Sequence, residues 1–66
     1  MKIIVNGEER ICVDNATIGS FLEERSLPSK MVVVEHNGEI VPRSQYTETS
    51  LVEGDVLEIV QMMAGG

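Results

Sequence analysis

The chain has 66 residues, 42% hydrophobic and 24% charged, with eleven acids against five bases and a formal net charge of −6. This length holds one domain, which buries only roughly 60% of its unfolded surface and leaves no room for an enclosed active site above a core. The composition is too apolar for a disordered chain, and it lacks the clustered Lys and Arg that nucleic acid or an anionic membrane surface would require, so protein partners with basic docking surfaces are expected.

In chain order, Lys2 to Val5 is β-branched and predicts a strand. Asn6-Gly7 is a strong hairpin signal, because a type I′ turn needs positive φ at both central residues. Glu8 to Val13 is the expected returning strand. Thr17 is a good N-cap for a helix from Ile18 to about Arg25. Ile18, Phe21 and Leu22 fall at i, i+3 and i+4 and give it one apolar stripe. Gly19 weakens this short helix by roughly 1 kcal/mol relative to alanine, and Pro28 ends it. Met31 to Glu35 is the third strand, and Asn37-Gly38 turns into a short fourth strand at Glu39 to Val41, stopped by Pro42. Arg43 to Ser50 reads as polar and irregular, with one helical turn around Ser44 to Tyr46. Glu53-Gly54-Asp55 is a turn, and Val56 to Met62 is the last strand. Residues 63–66, Met63, Ala64, Gly65 and Gly66, form a thin tail expected to be flexible, so that 1–66 is a single domain ending in a free carboxylate.

This order predicts an α+β fold. Its mixed sheet has four to five strands and one helix packed on one face, with the first and last strands parallel at the centre. That is the β-grasp, or ubiquitin-like, arrangement. Alternation places Ile3, Val5, Ile11, Val13, Phe21 or Leu22, Val32, Val34, Leu57 and Ile59 in the core. The alternate residues Ile4, Cys12, Val33, Val60 and Met62 then make an apolar patch on the outer face. Glu35 and Glu58 lie on that face as an expected acidic rim. Such a face is a candidate partner-binding surface, and the last strand leads from it straight to the tail.

Cys12 is the only cysteine, so no intramolecular disulfide is possible, and one thiol with the lone His36 cannot build a metal site. Cys12 reads as a small apolar strand residue and His36 as a surface residue. Met1-Lys2 leads into an apolar run of only three residues, which is not a signal-peptide core. With no disulfide staple, the expected location is the cytoplasm.

The segment Val34-Glu35-His36-Asn37-Gly38-Glu39-Ile40-Val41-Pro42-Arg43-Ser44-Gln45-Tyr46 resembles the signature of the bacterial thiamine-biosynthesis sulfur carrier family. Glu53-Gly54-Asp55 and the ending Ala64-Gly65-Gly66 fit the same pattern, and the resemblance runs the whole chain. Tyr46 differs from the tryptophan common in that family, and Met62-Met63 stand where other apolar residues are usual.

The resemblance implies a stoichiometric carrier rather than an enzyme. Gly66 would be adenylated by a partner enzyme that uses ATP, and a persulfide sulfur donor would then convert it to a thiocarboxylate. Thiazole synthase would consume the sulfur in making the thiazole of thiamine. No cofactor is expected on this chain. Two alternatives share the Gly-Gly end: the small subunit of molybdopterin synthase, and a ubiquitin-like protein modifier. Intact mass separates a carrier, which gains sulfur for oxygen, from a modifier, which appears as heavier conjugates.

Overall fold

The structure is a computed structural model that describes residues 1–62. The expected tail at Met63, Ala64, Gly65 and Gly66 lies outside the described residues. The strands are β1 (Lys2–Val5), β2 (Glu8–Ile11), β3 (Val32–His36), β4 (Glu39–Ile40) and β5 (Val56–Gln61). One helix, α1 (Ile18–Glu24), follows β2, and 3₁₀ turns occupy Ser29–Met31 and Arg43–Gln45. The sheet order is β2-β1-β5-β3-β4, with β1 and β5 parallel at the centre and the other pairs antiparallel. This is the expected mixed sheet, with five strands.

Both Asn-Gly hairpins form. Asn6 and Gly7 have φ of 51° and 82°, and Asn37 and Gly38 have φ of 51° and 89°. Those values are the left-handed pair that a two-residue type I′ turn requires. The side chain of Asn6 also grips β5: its Nδ2 donates to the Ile59 carbonyl (3.1 Å) and its Oδ1 accepts from the Ile59 N–H (2.8 Å).

Helix α1 starts at a capping box. Thr17 Oγ1 accepts from the Ser20 N–H at 3.0 Å, and Ser20 Oγ accepts from the Thr17 N–H at 2.9 Å. The helix buries Ile18, Phe21 and Leu22 against the sheet, as the stripe predicts. The core adds Ile3, Val32, Val34, Leu57 and Ile59 from the strands, with Ala16, Tyr46 and Leu51 from the connections. Val5 is half-buried and packs against this cluster.

Three expected placements are corrected. Ile11 and Val13 are 69% and 63% exposed, and Cys12 is buried at 6%. The cause is the hairpin register. The two-residue turn sets Val5 opposite Glu8 and Ile3 opposite Arg10. Paired residues share a face, so Arg10 lies on the helix side and Cys12, two residues on, follows it inward. Ile11 pairs with Lys2 on the outer face, and Val13 lies beyond the end of β2. A one-residue shift in phase inverts the whole strand.

The segment 43–49 is not loosely attached. Tyr46 is buried, its hydroxyl donates to the Val32 carbonyl at 3.2 Å, and its carbonyl accepts from the Gly19 N–H at 2.8 Å. This contact explains the glycine inside the helix. A Cβ at Gly19 would lie 2.9 Å from Thr47 Cγ2 and 3.2 Å from Thr47 Cα. Alanine should gain roughly 1 kcal/mol of helix propensity, but overpacking against backbone costs about 1–3 kcal/mol. Gly19→Ala is therefore expected to lower stability by about 1 kcal/mol, read as a lower urea midpoint at unchanged slope.

Candidate functional site

β5 is the last element of the described residues. Its ladder with β3 runs from His36↔Leu57 to Val32↔Gln61, and the Met62 N–H continues it by donating to the Met31 carbonyl at 2.7 Å. The strand is thus pinned on the β3 side up to the last described residue. Met63, Ala64, Gly65 and Gly66 lie beyond it.

The outer face of the sheet carries the expected apolar side chains. Val33 and Val60 are exposed and directly opposite each other across β3 and β5. Ile4 is half-buried beside the exposed Val56, and Met62 is exposed at the end of the same row. Ile40 and Ile11, which the alternation argument did not include, add two more exposed apolar side chains. Both were missed because each sits on a strand whose phase or pairing had to be known first. Cys12 does not belong to this surface. Burial pushes its thiol up, the nearby N-terminal ammonium opposing, so it is a poor thiolate.

Glu35 and Glu58 are on the outer face but not at its rim. They pair directly across β3 and β5, with Ile40 on the other side of Glu35. Along the strands they lie between Val56 on one side and Val33 with Val60 on the other.

The β3–β5 register is held at one end by a polar knot that the sequence did not reveal. Asp55 is only 5% exposed. Its Oδ2 accepts from His36 Nε2 at 2.8 Å and from the Val52 N–H at 2.9 Å. Its Oδ1 accepts from Asn37 Nδ2 at 3.1 Å, and Asn37 Oδ1 accepts from the Val56 N–H at 2.9 Å. Burial pushes the Asp55 carboxyl up, but the bonds from His36, Val52 and Asn37 outweigh it and hold the group below its ordinary value. His36 is therefore a half-buried structural partner rather than a free surface residue. Arg43 is structural too, donating to the carbonyls of Ser29 (3.1 Å) and Lys30 (3.2 Å).

Among the described residues, no group of three His, Cys, Asp or Glu side chains could hold a metal ion, and no helix is long and apolar enough to cross a membrane.

The chain that carries this exposed apolar sheet face has matching relatives. The model of the ThiS family matches residues 3–66. The chain belongs to the ThiS family. It is 42% identical over 53 residues to the sulfur carrier protein ThiS of Bacillus subtilis, covering 80% of each chain. It is 29% identical to the sulfur carrier protein ThiS of Escherichia coli over the full length of both. A thiazole synthase of Paramagnetospirillum magneticum is 44% identical over all 66 residues, and the chain spans 20% of that protein's length. In structure, the chain superposes on the crystal structure of the thiamine biosynthesis protein ThiS from Geobacter metallireducens with a TM-score of 0.85 at 28% identity, covering all of both chains. The five-stranded ThiS β-grasp with its single helix is therefore the fold of this chain.

Proposed function

We propose that this chain is a sulfur carrier of thiamine biosynthesis whose covalent site is the carboxylate of Gly66. The observation that carries this reading is the ThiS match, which runs through residue 66 and so includes the Gly-Gly end. A carboxylate is ionised at neutral pH and is a poor electrophile. An adenylating partner attaches the Gly66 oxygen to the α-phosphorus of ATP and releases pyrophosphate, which makes AMP the leaving group. The outer sulfur of a persulfide then attacks the acyl carbon and expels AMP. A thiol cleaves the resulting acyl disulfide and leaves the thiocarboxylate. The chain itself catalyses nothing in this sequence: ATP and the persulfide belong to its partners, and the folded domain supplies recognition.

Thiazole synthase is the proposed consumer of the sulfur. A segment similar to this whole chain occurs within one protein that bears that name. Joining carrier and consumer in one chain raises their effective concentration.

The outer sheet face is the proposed docking surface for both enzymes, centred on Ile4, Val33, Val60 and Met62 with Glu35 and Glu58. One face serves two partners, so they bind one at a time. Intact mass spectrometry after incubation with the adenylating enzyme, ATP and a persulfide donor tests the chemistry: the chain should gain one sulfur for one oxygen. Unchanged mass, or conjugates to lysines of other proteins, would refute it. Val60→Asp tests the surface. Val60 is 62% exposed, so the domain should stay folded. A carboxylate buried against an apolar partner costs roughly 2 kcal/mol, about thirtyfold in affinity. Normal loading of the folded variant at low carrier concentration would remove this face from the adenylation step.

A further inference from the structure

We infer that the partner seated on the outer face inserts a single arginine between Glu35 and Glu58; this rests on the docking surface proposed above. The two residues are directly opposite in the β3–β5 ladder. Directly opposed like charges destabilise a sheet, because their Cβ atoms stand only about 4.5–5.5 Å apart. Among the described residues, no cation lies within ion-pair distance of either glutamate. Lys2 pairs with Glu9, Arg10 pairs with Glu8, and His36 pairs with Asp55. Arg43 is engaged with the Ser29 and Lys30 carbonyls, and Arg25 lies over the Phe21 ring. The carboxylates therefore repel each other on a stretch of the face where their neighbours Val33, Val60, Val56 and Ile40 are apolar. A fold gains nothing from that arrangement by itself. A bound cation turns it from a cost into an anchor.

Arginine fits better than lysine. Its planar guanidinium offers donors on two edges, so one side chain reaches both carboxylates, and its weakly hydrated faces rest against Val33, Val60 and Val56. A second copy of this chain does not fit, because it would set glutamate pair against glutamate pair at a net charge of −6 on each side.

The test uses the isosteric double variant Glu35→Gln with Glu58→Gln. Three readouts are expected. The urea midpoint of the variant is equal to or above that of the wild type, because repulsion is relieved. In sulfur loading with the adenylating enzyme, KM rises about tenfold or more while kcat holds, and the wild type's increase of KM with salt flattens. In two-dimensional NMR of the wild type, argininamide shifts the amides of Glu35 and Glu58 more than lysinamide does, and the double variant loses the difference. An unchanged KM overturns the inference, as does a midpoint well below wild type, which would mean the carboxylates are satisfied within the fold. Amide shifts that move with protein concentration alone would assign the face to a second copy and also overturn it. If the wild type loads no sulfur, the carrier reading fails by itself; the argininamide titration then decides, and shifts scattered over all the acidic residues count against the inference.

Discussion

Deletion of Gly66 should abolish sulfur loading and leave the unfolding midpoint unchanged. Among the described residues, the last backbone hydrogen bond is the one from the Met62 N–H to the Met31 carbonyl. Among the described residues, the core extends no further along the chain than Ile59. Removing one residue shortens the reach of the chain end by about 3.3–3.6 Å. Reaction at the α-phosphorus requires approach to roughly 3–3.5 Å, and a misplacement of even 1 Å can reduce the rate on the order of a hundredfold. The loss should therefore exceed a hundredfold, with the shortened chain still binding its partner. Gly65→Leu should act in the same direction, because it puts a branched side chain where the tail of the proposed carrier has no Cβ. Mass spectrometry of the reaction mixture reads both. Normal sulfur loading of the Gly66 deletion would overturn the assignment of the covalent site.

Asp55→Ala should cost roughly 3 kcal/mol, by loss of a buried charge-assisted knot that leaves His36 and the Val52 N–H without their acceptor. A domain of this size has about 3–10 kcal/mol in total at about 0.05–0.15 kcal/mol per residue, so much of its stability rests here. The midpoint temperature should fall by more than roughly 10 °C. The same carboxylate sets a pH dependence. Its folded value lies below that of an ordinary aspartate, held down by the hydrogen bonds from His36, Val52 and Asn37 against the opposing effect of burial. Its contribution is thus fully present above the unfolded value and is lost as pH falls below about 4 and through the folded value. Acid unfolding of the wild type should steepen in that window, and the Asp55→Ala variant should lack that component. A variant as stable as the wild type at pH 7 would show that the knot is dispensable. Its functional consequence is indirect: loosening the start of β5 frees the register that sets Val33 against Val60 and Glu35 against Glu58.

The Asn-Gly pairs at 6–7 and 37–38, the stripe of Ile18, Phe21 and Leu22 and the alternation in β1, β3 and β5 were all legible in the sequence, because each is a local preference with one geometric solution. They suffice for the β-grasp order and for most of the core. The inward turn of Cys12 was also encoded, in the two-residue hairpin register, but β-branched Ile11 and Val13 drew the strand into the opposite phase. Tyr46 looked like part of a polar loop, because its burial depends on a hydroxyl partner, Val32, fourteen residues away. Asp55 looked like a turn residue for the same reason: its partners His36 and Asn37 are nineteen and eighteen positions distant. The sequence by itself determined the elements, the hairpins and the glycine-ended chain. Only the tertiary structure decided that Glu35 stands opposite Glu58 at the centre of the outer face. That register joins strands distant in the chain, and it is fixed by side chains that meet only once the sheet has formed.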